Sequence, residues 1–323
     1  MTLPKTVVVT GANSGIGFCT ALHFARTGAA VVMACRNMEK ADRARQAICD
    51  QVRGANVKTL PLDISELGSI RAFGRLFAEQ VGELDILINN AGIVALPLSR
   101  TTEGHEMQFA TNYLGAFALT GTMLPYFRKD GRARIVNVGS LAHRFGRLNI
   151  EDLNWQMCAY DEWKAYANSK VAVVSHALEL NRRLRQSGSN VVALAAHPGL
   201  ANTQITQQRE ALKNPSALRK WYVKHMTKLI PKASMAARSV IRAASAEDVQ
   251  GGEYFGPSGF LELGGKPGRA RVNPVAANPE LGSRLWTISE TLSGIRYLSA
   301  EPAKLSNAER IPTSPPRRED RRL

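Results

Sequence analysis

The stretch "VVVTGANSGIG" at 7–17 restricts the fold more than any other part of the chain. A β-branched run passes into a turn spaced by Gly11, Gly15 and Gly17, and the turn opens a helical pattern. Glycine permits the sharp turn and lets a ligand approach the backbone, while the helix start offers unpaired N–H groups that suit a pyrophosphate. With a strand before it and a helix after it, the turn is predicted to bind a dinucleotide. Gly11, Asn13, Ser14, Gly15, Ile16 and Gly17 are the contacts it would supply.

The first two hundred residues repeat this unit. Apolar runs "TVVVT", "AAVVMAC", "VKTLPLD", "LDILINN", "ARIVNV" and "NVVALAA" alternate with amphipathic segments such as 66–81 and 161–186. The runs are nearly continuous in apolar character, as strands buried on both faces are. The expected fold is α/β, a doubly wound parallel sheet with helices on both sides. Beyond "HPG" at 197–199 the pattern breaks into a basic insert at 207–232, a helix near 233–246 and a short strand signal at "GEYFG". "GPSGFLELGGKPG" reads as loop, and a last amphipathic helix over 279–294 would bury Leu281, Leu285, Ile288 and Leu292. The expected organisation is a catalytic domain over 1–270, a helical extension over 271–300 and a disordered tail over 301–323.

Two positions bear on which dinucleotide binds. The second strand ends in "CRN", which places Arg36 where an acid would hold the ribose hydroxyls of NAD. A guanidinium suits the extra phosphate of NADP, so NADP(H) is the expected cofactor and NAD(H) the second option. Asp63, in "PLDIS", either meets the adenine edge or caps a helix.

"AYANSK" at 165–170 then places Tyr166 and Lys170 one helical turn apart, on one face and about 6 Å apart along the axis. Tyrosine's ordinary pKa of ~10 makes it an available acid at neutral pH. A nearby ammonium favours the phenolate, so the pair is expected to share a proton-transfer task. Ala167 and Ser169, both small, would keep that face open to cofactor.

These segments, with "NNAG" (89–92), "NYLGAF" (112–117) and "VNVGSLAH" (136–143), resemble the short-chain dehydrogenase/reductase family in order and spacing. "ACRN", "SLAH" and "RLWTISE" are similar to its retinol-dehydrogenase branch and bacterial relatives, over about residues 4–300. Gly139 departs from the many members that carry a second serine there. The resemblance implies a single Rossmann-type domain with a small helical substrate lid and NADP(H)-dependent hydride transfer. Tyr166 would be the proton donor, Lys170 its tuner and ribose ligand, Ser140 the carbonyl-orienting hydroxyl, and Asn112 the support of a water relay. Asn37 and Ile64, beside Arg36 and Asp63, together with Asn90, Ala91 and Gly92, would line the cofactor near adenosine. Pro198, Gly199 and Thr203 would hold the carboxamide. Two- or four-chain assemblies packed through the helix bearing Tyr166 are common in the family, so a homo-oligomer is one expectation.

The remaining features limit partners. The chain carries 42 Lys and Arg against 27 Asp and Glu, and nine of those bases lie in 207–242 beside a single acid, Glu210. Within 218–230, Leu218, Trp221, Tyr222, Met226 and Leu229 share a face opposite Lys220 and Lys224. Such a helix suits a lid over a lipophilic substrate, a packed surface helix or a peripheral contact with anionic membrane. No nucleic-acid reading motif accompanies the charge. Four scattered cysteines and the lack of ligand spacing among the histidines imply neither disulfide nor metal. His143 and His197 are read as rim or packing residues. With no leader or spanning segment read in the sequence, a cytoplasmic location is expected. The expected substrate is a lipophilic carbonyl or alcohol of retinoid, steroid or aliphatic type. A non-catalytic NADP-sensing protein on the same fold is the alternative, and a sugar-nucleotide epimerase a lesser rival.

Overall fold

The computed structural model describes residues 4–199 and 232–298. Eight strands form one sheet in the order β3-β2-β1-β4-β5-β6-β7-β8. They are β1 (Thr6–Thr10), β2 (Ala30–Cys35), β3 (Val57–Pro61), β4 (Ile86–Asn89), β5 (Ala133–Val138), β6 (Val191–Ala196), β7 (Tyr254–Pro257) and β8 (Pro267–Arg269). All neighbours pair parallel except β7 and β8.

The continuous apolar runs follow from this topology, because alternate side chains of each strand enter different cores. Val8, Val32, Leu87 and Ile135 face one core. Val7, Val9, Val31, Met33, Ile86, Ile88 and Val136 face the other. The second core is roofed by α1 (Gly15–Arg26), α2 (Met38–Gln51) and α6 (Ala233–Ser245). The first lies under α3 (Leu67–Gln80), α4 (107–123) and α5 (Glu162–Gln186). Helix α4 starts as a turn at Met107–Phe109, widens to a π-helical turn at Ala110–Leu114 and continues over Gly115–Met123. β1 lies between β2 and β4, where the strand order reverses. The crevice beyond the carboxyl ends of such strands is where this architecture accepts ligands.

One expectation fails at the sheet's edge. The stretch read as loop turns back through Phe260–Glu262 and returns as β8, with Ser258 N–H donating to Lys266 O at 2.8 Å. Pro267–Arg269 has no apolar alternation, because its pairing with β7 is made by backbone alone at an exposed edge.

The last helix, α7 (Pro279–Ser293), forms where expected, capped by the Asn278 side chain and closed by Gly294 at φ 66°. Leu285 and Trp286 are its most buried apolar residues, and Leu281, Ile288 and Leu292 pack at the margin. Trp286 stacks edge-on against Phe117 of α4, with ring centroids 5.1 Å apart, and lies 4.4 Å from the Arg183 guanidinium of α5. Ser289 Oγ and Tyr113 OH are 2.6 Å apart, and Tyr297 OH donates to Phe117 O at 3.1 Å. Among the described residues no helix is long and apolar enough to cross a membrane. The basic lid insert, Thr203 and the tail lie outside the described residues.

Candidate active site

Three strand ends build the site. At the end of β1, Gly11 (φ 63°) and Gly15 (φ 56°) adopt left-handed backbone, and Gly11 N–H is tied to Ala34 O at 2.8 Å. A Cβ on Gly17 would lie 2.5 Å from Gly11 O and 2.6 Å from Asn90 Nδ2, so the turn closes only with hydrogen there. Ser14 stands at the N-cap of α1 without making a side-chain capping bond, and the first turn holds no acid. Its amide donors therefore remain suited to a phosphate, and the turn fits the dinucleotide read from the sequence. Gly17→Ala is expected to weaken dinucleotide binding at least about tenfold by opening this turn, with a smaller loss of thermal stability. Titration by NADPH fluorescence alongside thermal unfolding checks it.

From the end of β4, Asn90 Nδ2 donates to Thr10 O at 2.7 Å, and the Thr10 hydroxyl accepts from the N–H groups of Asn90 and Ala91 at 2.9 Å. Asn90 thus belts the glycine turn. Gly92, expected near adenosine, lies against Asn112 and Lys170, 2.9 Å and 3.6 Å from where its Cβ would stand. The segment spans from the turn to the proton-transfer residues. Thr10, which holds it by one hydroxyl, had no sequence signal beyond its place in the strand.

The Arg36 side chain is 76% exposed and its Nη1 lies 3.5 Å from Asp63 Oδ2. Asp63 does not cap α3, whose N-cap is Glu66. Its Oδ1 accepts from Ser65 N–H at 3.0 Å and from Ser65 Oγ at 2.6 Å, forming a turn before the helix. Asn37 caps α2 by accepting from Lys40 N–H at 2.8 Å. Ile64 is buried in the core. Pro198 and Gly199 follow β6, and Gly199 at φ 73° donates its N–H to His197 Nδ1 at 3.1 Å.

The third strand end carries the residues read as catalytic. Ser140 follows β5 and caps the 3-10 turn Leu141–Phe145, its Oγ accepting from Ala142 N–H at 3.2 Å. Tyr166 and Lys170 project from one face of α5, with Nζ 6.0 Å from the phenol ring centroid. They retain only 8% and 6% of their accessible surface. Lys170 Nζ crosses to donate to Val138 O at 2.9 Å, and burial lowers its pKa to about 8.

The resemblance implies that Lys170 tunes the tyrosine, whose pKa here is governed by burial and by Ser140. Burial raises it, while a hydrogen bond from the Ser140 hydroxyl pulls the other way. Desolvation of the phenolate outweighs that bond. Tyr166 is consequently a neutral acid at pH 7.

Neighbouring side chains read from the sequence are held by packing. Asn112, on the π-helical turn, uses both amide donors, to Ile93 O (3.0 Å) and Ser169 Oγ (2.9 Å), and accepts from Ile93 N–H at 2.8 Å. Its side chain clamps the β4 loop to α5. Ala167 and Ser169 do not face an open cleft: Gly146 packs on Ala167, and Ser169 Oγ donates to Tyr166 O at 2.7 Å.

A family model described as short chain dehydrogenase matches residues 5–214. The chain belongs to the short-chain dehydrogenase family. Retinol dehydrogenase 13 of Mus musculus is 39% identical over 307 residues, covering 94% of this chain and 88% of the relative. Retinol dehydrogenase 12 of Mus musculus is 36% identical over 295 residues, covering 91% and 87%. These place it in the retinol-dehydrogenase-like branch. The crystal structure of a protein from Mycobacterium paratuberculosis, 37% identical, superposes with a TM-score of 0.73 over 91% of this chain and 96% of that one. Levodione reductase shares the fold, at 22% identity and a TM-score of 0.59. The dehydrogenase is an oxidoreductase that uses a nicotinamide dinucleotide, as its family does.

The two histidines read as rim or packing residues lie in the interior beside the Ser140 turn. His143 and His197 are fully buried, and burial lowers the pKa of both, that of His197 to about 4. His197 Nε2 donates to Glu262 Oε2 at 2.9 Å, and Glu262 also pairs with Arg144 at 2.6 Å. Glu262, Arg144 and Asn273 line a cavity of about 570 Å³ beside the Ser140 turn.

Proposed function

We propose that this dehydrogenase transfers hydride between NADP(H) and the carbonyl or alcohol of a lipophilic molecule of retinoid, steroid or aliphatic type. The observation that carries the proposal is the buried pairing of Tyr166 with Lys170 on α5, with Ser140 hydrogen-bonded to the same phenol. When bound, the nicotinamide supplies hydride to the carbonyl carbon or takes it from the alcohol. Tyr166, neutral and shielded from water, gives its proton to the carbonyl oxygen in reduction and recovers it in oxidation. The Ser140 hydroxyl donates to that oxygen as negative charge develops. Lys170 opposes the charge left on the phenolate and, with the glycine turn and Gly92, borders the path of the dinucleotide. Arg36 supports NADP over NAD by its exposed guanidinium at the end of β2. The substrate class is supported by the retinol dehydrogenases that this chain resembles.

NADPH consumption should be measured across retinal, steroid ketones and aliphatic aldehydes. Turnover is expected with lipophilic carbonyls. NADPH binding without turnover on any of them would favour the non-catalytic alternative. The proposal places the enzyme in the cytoplasm. Liposome flotation of the full chain, with and without anionic lipid, decides whether it also touches a membrane.

A further inference from the structure

Ser140 is held from behind as well as through its own turn. Its carbonyl oxygen lies 2.7 Å from His143 Nδ1 and accepts from Tyr254 OH at 3.4 Å. The far ring nitrogen, His143 Nε2, accepts from Asn273 N–H at 3.3 Å. One nitrogen that accepts leaves the proton on the other, so the Asn273 N–H favours the tautomer in which Nδ1–H donates to Ser140, with the Arg271 backbone as a further group acting on the ring. The opposite tautomer would set a nitrogen lone pair against the carbonyl oxygen. Asn273 Nδ2 completes the clamp by donating to His143 O at 2.7 Å and Gly146 O at 3.3 Å.

The surroundings keep this ring neutral. Tyr254 meets it edge-on with centroids 5.1 Å apart, and the charged groups acting on it are Arg144 and Glu262, with His197 beyond. Burial outweighs them and lowers its pKa. The donor is thus unchanged across the range in which the enzyme would work.

We propose that His143, locked by Asn273, is a positioning residue that sets the direction of the Ser140 hydroxyl toward the reacting oxygen. The extended backbone of Ser140 (φ −159°, ψ 155°) ties the aim of its Cβ to the peptide plane that His143 anchors. Misplacing a catalytic group by about 1 Å can cost roughly 100-fold in rate, so an anchor on that plane acts on turnover. The inference rests on the assignment of Ser140 as the carbonyl-orienting hydroxyl.

His143→Leu removes the donor, whereas His143→Asn keeps an amide N–H at the position of Nδ1. With the most active carbonyl substrate and NADPH, His143→Leu is expected to lower kcat about 10- to 100-fold. Its KM for NADPH should stay within about twofold, and His143→Asn should recover most of the loss. Asn273→Ala leaves the histidine in place and should lower kcat about three- to tenfold, which keeps the test available if the leucine variant does not fold. Wild-type kcat in His143→Leu or, should that variant not fold, in Asn273→Ala overturns the positioning role, as does failure of His143→Asn to recover activity. Ser140→Ala, assayed beside them, separates the two levels. Near-normal turnover there overturns the role of Ser140 and this proposal with it, whereas an inactive Ser140→Ala beside an unaffected His143→Leu overturns the positioning role alone.

Discussion

Tyr166→Phe is expected to reduce turnover by at least about a thousandfold while leaving NADPH affinity within about twofold. The substitution removes one oxygen from a side chain that is already buried, so packing with α5 and its neighbours survives. What disappears is the phenol hydroxyl that is hydrogen-bonded to the Ser140 side chain on the face shared with Lys170. Steady-state rates with the best carbonyl substrate, together with cofactor titration, check both halves. Retained turnover would move the proton donor elsewhere. The pH dependence follows from the directions of the two pKa shifts. Reduction needs a neutral phenol and a charged ammonium; burial raises the phenol's pKa and sets the lysine's at about 8. Reduction should therefore be level through neutral pH and decline as pH rises past about 8, where Lys170 discharges. Oxidation needs the phenolate and should gain in the alkaline range. Initial rates in both directions across a pH series measure this.

Arg36→Asp is the second large effect. It should turn the ratio of kcat/KM for NADPH over NADH by about 100-fold or more toward NADH, because a charge-assisted contact of about 2–3 kcal/mol is replaced by repulsion. The exposed pair with Asp63, at 3.5 Å, is too weak to hold the guanidinium away from a phosphate. An unchanged ratio would remove Arg36 from cofactor choice.

The sheet was legible because its chemistry is local. Strands covered on both faces need continuous apolar runs, and "TVVVT" or "ARIVNV" has no other good home. The Tyr166–Lys170 pairing was legible for a similar reason, since helical spacing alone sets a shared face. What escaped depends on distant partners. The tautomer of His143 is favoured by Asn273, 130 residues away in sequence. The phenol's raised pKa comes from burial by many elements, which no single spacing reports. Asn112 matched a motif, but the commitment of its amide to Ile93 and Ser169 is a matter of tertiary packing. β8 carries no side-chain pattern and exists through backbone pairing.

The C-terminal helix has a consequence for how copies of this chain could meet. Trp286, Leu285, Ser289 and Tyr297 fill the outer flank formed by Tyr113 and Phe117 of α4 and by His176 and Arg183 of α5. A second molecule approaching the tyrosine-bearing helix from that side would first have to peel away an aromatic cluster the protein supplies to itself. Self-association along that flank would compete with this cluster.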